Sequence, residues 1–127
     1  MTVPLTQTFP PERISGYHAH VYYGDTSERE IASSIREVAE VSFELVMGRW
    51  REKPVGPHPL PMYQMAFDRS VFPDFMPWLQ SVHGPLSILV HTCTGLSDLM
   101  DHSAGAMWIG RSLELKLYFF DRDGKSA

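Results

Sequence analysis

The chain carries six histidines, and the spacing of four of them points to metal chemistry. His18 and His20 flank Ala19 within Gly16–Tyr23, a run of β-formers that stops at Gly24-Asp25 and reads as a strand. Side chains two apart on a strand share a face, with Cα atoms ~6.6 Å apart, close enough to converge on one ion. Tyr22 continues that face, while Ala19, Val21 and Tyr23 occupy the other and suit packing against helices. His91 lies in Leu86–Thr92, a nearly continuous apolar run that reads as a buried central strand. With Ile88 and Val90 turned toward the helices, Leu89 and His91 face the other way, opposite His18 and His20 if the two strands are neighbours. His58 sits in Gly-Pro-His-Pro-Leu-Pro, where the flanking prolines hold its backbone and aim its ring. A catalytic ion takes three protein ligands and keeps open positions, and neutral imidazole is a good donor to Fe(II), Zn(II) or Cu(II). Three of His18, His20, His58 and His91 would meet that need. His102 follows Asp101, which is near enough in sequence to orient an imidazole, and it reads as a proton-transfer residue.

Other reactive residue types read as structural. His83 closes a helix, where a cation favours the C-terminal end, and is expected on the solvated surface. Cys93 shares the His91 alternation, yet a lone strand cysteine is usually a small buried hydrophobe. Trp78, Trp108 and the seven methionines read as core or interface. Phosphate loops, dinucleotide glycine motifs and a serine nucleophile elbow are missing from the sequence.

The elements that must position these residues follow from periodicity. Residues 1–13, rich in proline, read as an irregular arm, and 14–127 as a single domain. After the first strand, Ser27 and Glu30 have the spacing of a capping box, and Ile31, Ile35, Val38, Ser42 and Leu45 predict a helix ending at Gly48. Arg49–Pro61, with four prolines, predicts a stiff loop. Met62–Phe67 reads as a second strand, and Phe72–Val82 as a second helix stopped by Gly84-Pro85. Strand Leu86–Thr92, a polar connection from Thr94 to Ser103 and a short strand Gly105–Ile109 follow. Leu113–Phe120 alternates and predicts either a fifth strand or a dimer-forming arm. The order reads β-α-β-α-β-β or, with a helical last connection, βαββαβ, an α+β fold of the ferredoxin-like kind with an antiparallel sheet and two helices on one face. The open face needs cover from a second subunit or the chain's own loops, and the Leu113, Leu115, Leu117 and Phe119 stripe predicts a homodimer.

Composition limits the function classes. Fifteen acidic against eleven basic residues leave a net charge of −4 and no basic field for a phosphate backbone, which disfavours nucleic acid as a partner. The longest apolar run is far shorter than the ~20 residues of a membrane span. A single cysteine and the lack of a signal-like start predict a reducing cytoplasm.

Four ordered strings, Tyr17–Tyr23, Pro54–Leu60, Gly84–Thr92 and Asp101–Gly110, resemble those of the DOPA 4,5-dioxygenase family of small ring-cleaving dioxygenases. The resemblance runs from about Tyr17 to Gly110, includes His18, His20, His58, His91 and His102, and leaves the Leu113–Phe120 segment outside. It implies extradiol cleavage of a catechol such as DOPA by dioxygen at a non-haem Fe(II) centre in a dimeric ferredoxin-like domain, giving a muconic semialdehyde-type product. Another divalent ion such as zinc would fit the same donors. Neither candidate strand carries Asp or Glu on its histidine face, so a triad with a carboxylate would have to borrow Asp98 or Asp101. His102, and His18 where the ion does not use it, would move protons. The rival reading is a non-catalytic dimeric ferredoxin-like module that binds a metal or a small aromatic.

Overall fold

A computed structural model of the chain describes residues 2–120. Residues 2–10 hold no regular element, and a single 3-10 turn, Pro11–Arg13, leads into strand β1, Gly16–Tyr22. Then come helix α1, Thr26–Ser42, the two-residue strand β2, Val46–Met47, strand β3, Met62–Asp68, and helix α2, Phe72–Val82. Strand β4, Ile88–Cys93, the short helix α3, Asp98–Asp101, and strand β5, Ala106–Ile109, complete the set. The fold is α+β: one five-stranded antiparallel sheet in the order β2-β3-β1-β4-β5, with two main helices. β1 is the central strand, paired with β3 on one side and β4 on the other.

Strand alternation divides the molecule. Ala19, Val21 and Tyr23 pack with Tyr63, Met65, Phe67, Leu86, Ile88 and Val90, and these meet Ala32, Ile35 and Ala39 of α1 and Phe75, Met76 and Leu79 of α2. The opposite face carries Tyr22, Met62 and Leu89 together with the histidines, and Leu60, Ala106, Trp108, Leu113 and Leu115 pack there.

Several expectations shift by a turn or change kind. α1 is capped by Asp25, whose carboxylate accepts from the Glu28 amide at 2.8 Å, while Glu28 reaches back to the Gly24 amide at 2.7 Å. The reciprocal pair therefore lies two residues before the expected Ser27/Glu30 box. Its buried stripe is Ala32, Ile35 and Ala39, and Val38 is exposed. The helix stops at Ser42 and not at Gly48, because Phe43 turns extended to put its ring 4.8 Å from Phe75 and 5.3 Å from Trp78. β2, absent from the expected order, begins three residues later.

Leu113–Phe120 is neither a strand of the main sheet nor free to act as an arm. It runs as irregular chain with one 3-10 turn, Leu117–Phe119, and its amide at Lys116 donates to the Pro57 carbonyl at 2.8 Å. Leu113 and Leu115 pack on the Tyr22, Met62 and Leu89 cluster, so this half of the stripe covers the chain's own sheet. Residues 121–127 of the expected domain lie outside the described residues.

Phe75 is fully buried between Phe43, Phe67 and Trp78. Phe75→Ala should lower unfolding free energy by about 3–5 kcal/mol. Urea unfolding followed by circular dichroism checks it, and a loss below ~1 kcal/mol would mean the helix layer is not packed as described.

Candidate metal centre

The alternation expected from sequence sets His18 directly across from His91, and His20 across from Leu89. Both strand pairs are regular antiparallel ladders, so the three imidazoles stand side by side on the sheet face away from the helices. His20 Nε2 and His91 Nε2 are 3.1 Å apart, and the His18 ring lies 5.0 Å from that of His91. His58 enters from the proline loop. Its amide bonds the Val55 carbonyl in a turn through Gly56, which has φ of 56°, and its ring reaches 4.2 Å from His20. His102, at the C-cap of α3, lies 4.0 Å from the His91 ring. All five histidines of the matching strings thus meet in one cluster.

Two overlapping sets of three have ring nitrogens within 4.8 Å of one another: His18, His20 and His91, and His20, His58 and His102. His20 belongs to both. Among the described residues the sets with metal-ligand spacing are made of histidine alone; Asp98 and Asp101 enter neither.

Hydrogen bonds fix which nitrogens are free. His91 Nδ1 donates to the Thr92 carbonyl at 2.9 Å and His102 Nδ1 to the Asp98 carbonyl at 2.7 Å, since a carbonyl only accepts. Each therefore presents Nε2 as a lone pair. Against the His91 lone pair, His20 Nε2 must donate, which leaves the buried His20 Nδ1 with no partner among the described residues. Tyr22 O–H and His58 Nδ1 are 2.7 Å apart. Burial pushes the Tyr22 hydroxyl well above its ordinary value, so it stays protonated; with no other acceptor among the described residues it donates to Nδ1, and His58 carries its own proton on Nε2.

The donor set fits a divalent ion. Two nitrogens bound to one ion at about 2.1 Å in adjacent positions stand about 3 Å apart, which is the His20–His91 spacing. An ion between the two Nε2 atoms would take both of their lone pairs and move the His20 proton to Nδ1, the buried nitrogen that has no partner among the described residues.

Asp101 has a different task from the one expected. Neighbours on a helix point about 100° apart, so when His102 faces the cluster Asp101 faces β4. Its buried carboxylate accepts from the Thr92 hydroxyl at 2.8 Å and the Thr94 hydroxyl at 2.9 Å. It ties α3 to β4 and steadies the residue whose carbonyl holds His91. Gly105 is tied to the same place: a Cβ there would collide with the Thr92 hydroxyl and press on the Asp101 backbone. His83 is half-buried and its Nδ1 donates to the Leu86 carbonyl at 3.1 Å, closing the turn after α2 in place of the expected solvated position. Cys93 is half-buried at the end of β4, and burial, with Asp101 and Asp98 nearby, pushes its thiol up to about 11. Trp108 stacks on Tyr22, and Trp78 packs into the helix side.

A family model described as "Dopa 4,5-dioxygenase family" matches residues 17–119. The chain belongs to this family. The matched region includes every residue of the cluster and extends past the resembling strings through the covering segment to Phe119. The chain is similar to a 21.2 kDa uncharacterized protein of Botryotinia fuckeliana, 34% identical over 84% of this chain and 63% of that one. It is also similar to a DOPA 4,5-dioxygenase of Amanita muscaria, 31% identical over 87% of this chain and 52% of that one. It thus spans between half and two thirds of the length of these curated relatives. A crystal structure of a candidate dioxygenase from Nostoc punctiforme superposes with a TM-score of 0.84 at 41% identity, covering 88% of this chain and 96% of the other.

Burial and mutual repulsion favour the neutral forms of His18, His20, His58 and His91. Burial holds His58 down to about 4 and His91 to about 3, and the nearby His102 adds to both effects. His20 is held well below its ordinary value by burial and by its four histidine neighbours, and His18 is lowered by burial and His102. Unfolded histidines titrate near 6.5. Between those values the unfolded chain binds more protons than the folded one, so stability present above pH ~6.5 is lost as pH falls toward the folded values. The urea midpoint of EDTA-treated protein should hold steady from pH 8 to 7 and drop steeply from 6.5 to 4.5. A midpoint unchanged down to pH 4.5 would contradict the neutral, buried cluster.

Proposed function

We propose that this chain is a non-haem Fe(II)-dependent extradiol dioxygenase that opens the ring of a catechol such as DOPA. The observation that carries the reading is the convergence of five histidines on one buried sheet face in a chain of this family. In the overall reaction one ring carbon–carbon bond breaks and both atoms of dioxygen enter a muconic semialdehyde-type product, so no outside reductant is needed.

His18, His20 and His91 would hold the ion. They stand on the central strands, where ladder hydrogen bonds fix their positions. The bound Fe(II), with positions left open, would let a catecholate and dioxygen meet. His58 is set apart from ligation by Tyr22, which occupies Nδ1 and leaves a proton on Nε2. That proton is placed to be given to oxygen of the opening ring. His102 presents a bare Nε2 and takes a proton from the entering catechol. Pro57, His58 and the covering segment limit access of water; Phe120 lies against the His102 ring at 4.9 Å.

The partners of this reading are a catechol and dioxygen, in a cytoplasmic setting that suits the free Cys93. A homodimer remains part of it, with Val38 and Val41 of α1 and Val46 of the edge strand β2 as exposed apolar surface for a second copy. Light scattering at micromolar concentration decides the dimer; a monomer with full activity would remove it.

Single glutamine variants test the assignment. His18→Gln, His20→Gln and His91→Gln should each lower iron retention strongly. His102→Gln should keep iron while turnover of a catechol falls by ~100-fold or more, as expected for loss of a general base. Iron lost from His58→Gln and His102→Gln but kept in His18→Gln would transfer the ion to the other triad. Iron-loaded protein that produces no yellow semialdehyde from any catechol in a panel would favour the non-catalytic binding module.

A further inference from the structure

Two adjoining hollows, of about 570 and 320 Å³, share a wall of Val46, Ala66, Phe67 and Asp68 near the outer edge of the sheet. β2 pairs only with Met65 and Ala66 of β3, so past Ala66 no strand of the described residues lies along the outer side of β3. Leu45, Val46 and Val71 help make the larger hollow mainly apolar, and Val46 is exposed there. The smaller hollow runs in to Cys93 and to His18, which is half-buried where His20 and His91 are buried. Together they form a groove that leads from the sheet edge to the metal centre.

The N-terminal arm leaves the domain beside this groove. Arg69 holds the root of the arm, donating to the Ile14 carbonyl at 2.9 Å and the Pro11 carbonyl at 3.3 Å, and Ser15 and Gly16, which follow, lie in the groove wall. Residues 2–8 are exposed and make no hydrogen bond with the rest of the described chain. Val3 is 86% and Leu5 96% exposed, so the arm's apolar side chains are not seated in the chain's own groove. Side chains two apart on an extended segment share a face. Pro4 and Pro10 fix φ in the extended range and bias Val3 and Phe9 the same way, which lowers the entropy lost on docking. From Thr2 to Pro11 the arm has no charged side chain, so it would carry no charge into an apolar groove or toward the histidines.

We propose that the arm of each copy seats in the groove of a second copy, a two-fold dimer made by reciprocal exchange, with Val3 and Leu5 as anchors against the wall that holds Val46 and Phe67. This rests on the homodimer of the reading above and not on its reaction. Root and groove adjoin on each copy, so a two-fold axis passing beside them brings each arm to the other copy's groove. Arm and groove wall together supply about twenty residues per copy, the low end of a standard interface. Seated there, the partner's arm covers the open side of His18, and each metal centre is closed by the other chain.

Sedimentation equilibrium at micromolar concentration compares wild type with the Val3→Asp/Leu5→Asp variant. Both changes fall on exposed side chains, so the circular dichroism spectrum should be that of wild type. Wild type should be a dimer, and the variant's dimer dissociation constant should rise by ~100-fold or more, since both arms lose their apolar anchors. Cross-linking reads the contact itself. Tagged Leu5→Cys chains are mixed with untagged Val46→Cys chains, both also carrying Cys93→Ser, and oxidised; the disulfide between the two kinds of chain should form in several-fold excess over either homodisulfide. A wild-type dimer that the arm substitutions leave unchanged, or a statistical mixture of disulfides, would overturn arm exchange and keep the homodimer. A wild type that stays monomeric throughout would remove both.

Discussion

Five imidazoles share one space with no carboxylate among them in the described residues, and most of the architecture follows from keeping four of them, His18, His20, His58 and His91, neutral. A proton on any of them would meet up to four neighbours in a medium that screens poorly. These four therefore stand as neutral rings or around a cation supplied from outside. Neutral rings present lone pairs, and several lone pairs aimed at one another are acceptable only when donors or an ion lie between them. The tautomers set by Thr92, Asp98 and Tyr22 are the protein's own share of that solution.

The sheet serves two interiors with different demands. On the helix side, period-two alternation supplies apolar residues to α1 and α2, and the small Ala32 and Ala39 let α1 lie close. On the histidine side, among the described residues, no helix of comparable length lies over the rings. The proline loop, α3 and the segment ending at Phe120 form the cover, joined where Lys116 bonds Pro57 and where Phe120 meets His102. A cover of loops suits a site that a small substrate must enter, because loops can open without breaking the sheet beneath. In the proposed reading the rigid part holds the rings that bind the ion, and the cover holds those that move protons.

How much was legible in the sequence depended on the range of the rule involved. His18, His20 and His91 were placed correctly because strand alternation is local and the order of elements makes β1 and β4 neighbours. α2 was legible end to end, since Gly84-Pro85 stops it. The end of α1 was not: Ser42 to Leu45 continue a helical spacing, and only the tertiary demand for Phe43 against Phe75 breaks it. A two-residue strand such as β2 leaves no periodicity to read. The alternation of Leu113 to Phe120 was real, yet an extended strap over a sheet face and a strand within a sheet alternate alike. Asp101 was assigned to His102 from adjacency, whereas helical phase sends the two side chains in different directions.

The backbone partners of the histidines mark a deeper limit. Which nitrogen of His91 or His102 is free depends on the carbonyls of Thr92 and Asp98, and every residue type has a carbonyl. No sequence pattern records that choice. It is made by the β4 path, which turns the Thr92 carbonyl toward His91, and by the α3 turn, which puts the Asp98 carbonyl four residues before His102. Asp101 and Gly105 hold that path from behind, one by accepting the Thr92 hydroxyl and the other by leaving room for it. The chemistry assigned to the rings thus rests on residues that touch none of them, and a change at Gly105 would reach the cluster through Thr92 without altering a single histidine.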